Sequence, residues 1–272
     1  MRVTIDGVDF ASRTALFHPG NAYTLGKAAN LAYESATEVR RSAAAWGLPR
    51  CEFIDRGDTQ AFVAGNDEVV IVAFRGTEPA NLRDWVTDAQ SNFTRGLGGR
   101  VHSGFLRALD DAWRPLRGAI STLQDRQQSL WVTGHSLGAA LATLAVARLR
   151  LDEDKPVYGL YTFGQPRTGD RDFEVRFNLD YKAQCFRFVN NNDIVTRVPL
   201  RVMGYSHVGT FLYFDKQGEL SSDRGHWFRF LDSVEGRIAD LGRLGPDDAK
   251  DHSMAKGYLP NLARLRNPFA SA

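Results

Sequence analysis

Cysteine is scarce in this chain: Cys51 and Cys185 are the two among 272 residues. Two cysteines in a chain of this length make no disulfide framework, and neither has the short ligand spacing of a zinc site. Two buried free thiols are therefore expected. Long hydrophobic runs are missing as well. No window approaches 18 apolar residues, so no segment reads as a membrane-spanning helix. The opening stretch Met1–Phe10 is interrupted by charge, unlike a secretion signal, and a cytoplasmic location is the expectation unless a pre-sequence is missing. An excess of one charge is the third absence. Lysine and arginine number 34 against 32 acidic residues, and without a basic helix or a Lys-Arg run no nucleic-acid partner is indicated.

What is present is an ordinary globular mixture, 43% hydrophobic and 24% charged. At this length one large α/β domain over residues 1–272 is the simplest arrangement. Residues 22–46 place Leu25, Ala29, Ala32, Ala36, Val39, Ala43 and Trp46 three or four apart, which predicts one helix, capped by Asn21 and ended by Gly47 and Pro49. A hairpin is expected over Phe53–Arg56 and Gln60–Ala64. The continuous apolar run Val69–Phe74 reads as a strand buried on both faces. A helix from Ser103 to about Trp113, with a break or kink at Pro115, comes before the strand Ser129–Thr133. Later strands are expected at Val157–Phe163, Cys185–Val189 and Thr210–Phe214, the last paired with a short strand near Leu220. Helices are expected over residues 170–181 and Phe228–Leu241. The last 25 residues read as polar and loop-like, apart from a partly apolar patch at Tyr258–Leu265. Strands alternating with helices indicate an α/β fold with a mostly parallel central sheet flanked by helices.

The most telling segment is Gly134-His-Ser-Leu-Gly138. It lies between the strand Ser129–Thr133 and a helical run Ala139–Leu149, the context in which G-x-S-x-G becomes a nucleophile elbow. In such a turn the serine is strained and the flanking residues pass too close for a Cβ. Ser136 is the candidate nucleophile, set at a helix N-terminus where backbone N–H groups favour developing negative charge.

A serine needs a base within hydrogen-bond reach and an acid that fixes the base's tautomer. The order nucleophile, acid, histidine leaves His207, His226 and His252 as bases. Residue chemistry puts His252 first of the three without excluding the others. Asp193 follows a predicted strand, at the end where α/β sites collect, and is the candidate acid. Leu137 N–H, next to the nucleophile, and Thr77, just beyond the strand Val69–Phe74, are the candidate oxyanion donors. Trp85, Phe93, Phe105 and Tyr161 suit an acyl groove and a hydrophobic core equally. No metal or organic cofactor is needed for this chemistry.

Taken together these segments resemble the class 3, fungal-type lipases, a family of α/β-hydrolases. The resemblance is carried by Ala73-Phe-Arg-Gly-Thr77, Trp85-Val-Thr-Asp88, Val101-His-Ser-Gly-Phe105, Val132-Thr-Gly-His-Ser-Leu-Gly138, Tyr161-Thr-Phe-Gly-Gln-Pro-Arg167, Asn192-Asp-Ile-Val195 and Tyr205-Ser-His207. It runs over roughly residues 60–255 and implies an α/β-hydrolase fold. Carried over by position, it implies Ser136 as nucleophile, Asp193 as acid, His252 as base, and Thr77 and Leu137 as oxyanion donors. His207, His135 and His102 fall on non-catalytic positions. Residues from about Asn81 to Phe93 fall on the family's lid, with Leu82, Trp85 and Val86 as its apolar, substrate-facing residues. Arg83, Asp84 and Asp88 dilute that face, so weak interfacial activation is expected. The implied substrate is an acylglycerol or similar ester at a lipid-water interface; a phospholipid cleaved at one acyl chain or a feruloyl ester comes next, and an inactive scaffolding module is the remaining alternative.

Overall fold

The computed structural model describes residues 2–76, 92–222 and 246–266. Its frame is an eight-stranded mixed sheet built from β3 (Arg50–Arg56), β4 (Thr59–Gly65), β5 (Val69–Phe74), β8 (Ser129–His135), β9 (Gly159–Phe163), β10 (Cys185–Asn190), β11 (Thr210–Phe214) and β12 (Leu220–Ser221). Across the sheet the order is β12-β11-β10-β9-β8-β5-β4-β3. The five strands from β5 to β11 run parallel, and β3, β4 and β12 are antiparallel. Two small hairpins, β1 (Arg2–Ile5) with β2 (Val8–Ala11) and β6 (Phe93–Gly96) with β7 (Gly99–His102), stand apart from it.

Residue alternation in the central strands builds two cores at once. Val70, Val72 and Phe74 of β5 pack on one face with Leu130 and Val132, while Val69, Ile71 and Ala73 pack on the other with Trp131 and Tyr161. The first face is covered by α3 (Ser103–Leu123), α4 (Leu137–Glu153) and α5 (Arg171–Tyr181). Covering the second are α1 (Pro19–Leu31), α2 (Ala36–Ala45) and α7 (Leu259–Arg266), the last reached through α6 (Pro246–His252) and a π-helical turn at Met254–Tyr258. Helix α4 is buried for nearly its whole length; its alanines let it lie close against both the sheet and α3.

Several sequence expectations are corrected. The helix expected over residues 22–46 is two helices, because Ser35 caps a new start by accepting from Glu38 N–H; the apolar stripe continues across the break. His18, not Asn21, caps the first of them, while the Asn21 side chain bonds the backbone of Ala11. The helix from Ser103 runs on through Pro115 to Leu123. The bond that Pro115 removes would have used the carbonyl of Asp111, an exposed residue. The C-terminal stretch expected to be a loop is largely helical over 246–266. Phe105 and Tyr161 are buried core residues and Phe93 stacks on Tyr205 at 4.0 Å. The helix expected at Phe228–Leu241 lies outside the described residues, as do His226, Thr77 and the lid residues Leu82, Trp85 and Val86.

Both cysteines are free, Cys185 buried and Cys51 half-buried. They sit on β10 and β3, five strand spacings apart, roughly 24 Å at about 4.8 Å each and far beyond disulfide reach. Among the described residues no helix is long and apolar enough to cross a membrane.

Candidate active site

The parallel strands bring their C-terminal ends to one edge, and three of them lead to residues singled out from the sequence. Strand β8 runs directly into Ser136, which has φ 58 and ψ −130 and precedes the first turn of α4. A non-glycine residue held in that region costs on the order of 1–3 kcal/mol, so the surrounding packing enforces it. A methyl group on Gly134 would meet Gly138 O at 2.3 Å, and one on Gly138 would meet Phe74 O at 2.3 Å. That is the close approach the elbow pattern requires. Ser136 does not cap α4 with its side chain, and Leu137 opens the helix, where N–H groups have no intrahelical acceptor.

Strand β5 leads into Gly76, which packs against the same turn: a methyl group there would lie 3.0 Å from Ser136 Cβ. Thr77 follows it in sequence. Strand β10 leads through Asn190-Asn-Asn192 to Asp193, which is fully buried. Its carboxylate accepts Val195 N–H at 3.0 Å and faces His252 Nδ1 at 2.9 and 3.0 Å from its two oxygens. With Nδ1–H donating to Asp193, the imidazole presents Nε2 on its other side. Among the described residues, His252 Nε2 and Ser136 Oγ are both buried and both without a hydrogen-bond partner. The structure does not bond them to each other; such contacts are often loose in unliganded sites.

Electrostatics follow from this geometry. Burial pushes the Asp193 carboxyl up, but the His252 charge and the hydrogen bonds from His252 and Tyr258 more than offset it and hold it below its ordinary value. Asp193 is thus ionised at neutral pH, as a carboxylate that orients a histidine must be.

Among the described residues, the remaining histidines have structural partners. His135 Nε2 donates to the carbonyl of His252 at 2.6 Å, and its Nδ1 accepts from Tyr33 Oη at 2.8 Å. Burial, then the neighbouring His252, pushes His135 down to about 3, so it stays neutral. His207 Nε2 donates to Thr196 O at 2.8 Å. Desolvation of its ring, then Arg187 and Arg167, hold it well below its ordinary value. His102 accepts from Phe105 N–H at the start of α3.

Three further neighbours shape the site. Tyr33 lies in the break between α1 and α2, and Tyr258 donates to Asp193 Oδ2 at 2.5 Å. Gly164, the first residue after β9, has φ +59, and a methyl group there would fall 2.7 Å from Asp193 Oδ2 and 2.9 Å from His252 Cε1. In the sequence, Gly164 stands out as a glycine at the end of a predicted central strand and Tyr258 as the start of the apolar patch in the tail. No cluster of histidine, cysteine or acidic residues that could hold a metal is found among the described residues.

Comparison with known proteins bears on the family and the fold. Residues 71–203 match the family model described as lipase (class 3). The chain is 34% identical over 195 residues to a secreted mono- and diacylglycerol lipase of Fusarium solani, covering 69% of this chain and 57% of that protein. It is 32% identical over 251 residues to the triacylglycerol lipase OBL1 of Arabidopsis thaliana, covering 69% and 48%. The chain thus spans about half the length of these two relatives. Among solved structures it is similar to the Rhizomucor miehei lipase propeptide complex, with a TM-score of 0.61, 26% identity, and coverage of 80% of this chain and 78% of that one. With its elbow, mixed sheet and matched segments in place, the chain belongs to the class 3 lipase family.

Proposed function

We propose that this chain is a serine carboxylic-ester hydrolase acting on acylglycerols through Ser136, His252 and Asp193. The observation that carries the reading is the Asp193–His252 pair. It forms between residues 59 apart in sequence, at the edge where the strained Ser136 follows its strand. Ser136 Oγ attacks the ester carbonyl while His252 Nε2 accepts its proton, and Asp193 holds the Nδ1–H tautomer and stabilises the imidazolium. The oxyanion is held by Leu137 N–H and by Thr77, whose preceding residue Gly76 packs against Ser136. His252 then protonates the departing alcohol, and water repeats the sequence on the acyl-enzyme.

In this reading one α/β domain carries the whole reaction. The mono-, di- and triacylglycerol lipases among the relatives support an acylglycerol substrate. A cytoplasmic setting is part of this reading although one relative is a secreted lipase, and fractionation of the source cells tests it. Turnover of emulsified acylglycerols and a p-nitrophenyl ester series is the functional test, with emulsified phospholipid and a feruloyl ester as competitors. Faster turnover of either competitor than of every acylglycerol would contradict the substrate assignment.

A further inference from the structure

Asn190 is the last residue of β10 and is buried, with 3% of its surface exposed. Every polar group it has is committed to the segments that carry Asp193 and His252. Its backbone carbonyl accepts Asp193 N–H at 3.0 Å. Its Nδ2 donates to the carbonyl of Asp251, the residue before His252, at 2.9 Å. Its backbone N–H donates to Tyr258 Oη at 3.1 Å, and that hydroxyl in turn donates to Asp193. Its Oδ1 accepts from Asn261 Nδ2 at 2.9 Å, which fixes the carboxamide with its donor toward Asp251.

A second observation shows how closely this joint is packed. The π-helical turn after His252 passes directly over it, so that a methyl group on Gly257 would lie 2.8 Å from Asn190 Nδ2 and 2.7 Å from Asp251 O. Asn191 Nδ2 and Asn192 N–H add outer contacts to Asp251 Oδ2, at 2.8 and 3.2 Å.

We infer that Asn190 is a positioning residue for the His252 base, setting its distance from Asp193 by tying both to the end of β10. This rests on the hydrolase reading above. The joint needs a short side chain that donates and accepts at once. Aspartate supplies no donor and would turn a carboxylate toward the Asp251 carbonyl. A misplacement of about 1 Å in a catalytic group can cost on the order of 100-fold in rate, so loss of the tie should be visible in chemistry rather than in binding.

The test uses the full chain and a soluble alkyl fluorophosphonate. Ser136 Oγ forms a bond to phosphorus, fluoride leaves, and the serine proton passes to His252, so the labelling rate reads the base directly. Asn190→Asp should be labelled roughly 10- to 100-fold more slowly than wild type, reaching one adduct per chain at completion. Its kcat on a p-nitrophenyl ester should fall in parallel, with KM near wild type. Asn261→Ala, which removes the bond orienting the carboxamide, should move both quantities the same way by a smaller factor; it decides the matter if Asn190→Asp does not fold. Labelling at the wild-type rate in the variants would overturn the inference, as would a normal rate with a stoichiometry below one, which marks a purely structural role. A wild-type chain left unlabelled at Ser136 would instead overturn the hydrolase reading, and this inference with it.

Discussion

Tyr258 donates a hydrogen bond to Asp193 Oδ2 at 2.5 Å from six residues beyond His252. The acid is therefore bonded by the base on one side and by the turn that follows the base on the other. Burial, then the Asp193 charge, raises the Tyr258 hydroxyl well above its ordinary value, so it stays a donor at all working pH. Tyr258→Phe keeps the ring but leaves Asn190 N–H without its acceptor and Asp193 without a donor. A loss of about 1–3 kcal/mol of stability is expected, measured by chemical denaturation, with a severalfold fall in kcat. Unchanged stability would mean the hydroxyl contributes nothing net.

Gly164 makes a steric prediction. Its φ of +59 disfavours any side chain, and a Cβ would press on both Asp193 and His252. Gly164→Ala should lower kcat by at least tenfold, the scale expected of displaced catalytic groups, while KM changes little. Steady-state kinetics on a soluble ester checks this, and wild-type kcat would show that the site yields without cost.

Acid sensitivity follows from His135. Its folded value lies near 3 against an ordinary 6.5, so between those pH values the unfolded chain binds a proton that the folded chain does not. Stability therefore rises with pH across that window, by about 1.4 kcal/mol per unit from this group. His207 acts in the same direction. Asp193, whose value is lowered, adds stability that is lost only below about pH 3.9. Denaturation curves at pH 7, 5 and 4 should show falling stability, with a shallower slope in His135→Gln. A flat profile from pH 7 to 4 would contradict this.

The C-terminal segment is part of the core as well as the carrier of His252. Met254, Tyr258 and Leu262 are buried against the α1 face, each worth about 1.5–3 kcal/mol of burial. Ending the chain before Asp251 should therefore cost cooperative folding, seen as a lowered or lost thermal transition, as well as activity. A truncated chain that melts like wild type would show that this packing is dispensable.

What the sequence made legible was local. The elbow announces itself through two glycines and a serine between a strand and a helix, and β5 through an unbroken apolar run. Asp193 could be chosen because it follows a recognisable strand. The break at Ala32–Ser35 was hidden because the apolar spacing resumes in register on its far side. The helical C-terminal segment was hidden by its polar composition and by Gly257 and Pro260, which read as loop. Tyr33, Tyr258 and Asn190 act through bonds to partners 102, 65 and 61 residues away. Such pairings exist only once the topology has brought the strand ends together.

The central claim is that Ser136 is a nucleophile served by His252, and the most direct measurement is hydrolysis of a soluble p-nitrophenyl ester by wild type, Ser136→Ala and His252→Ala at matched folded concentration. Losses of about 10⁴-fold or more for Ser136→Ala and about 10³-fold or more for His252→Ala are expected, with circular dichroism unchanged. A folded Ser136→Ala protein that kept a tenth of wild-type turnover would contradict the account.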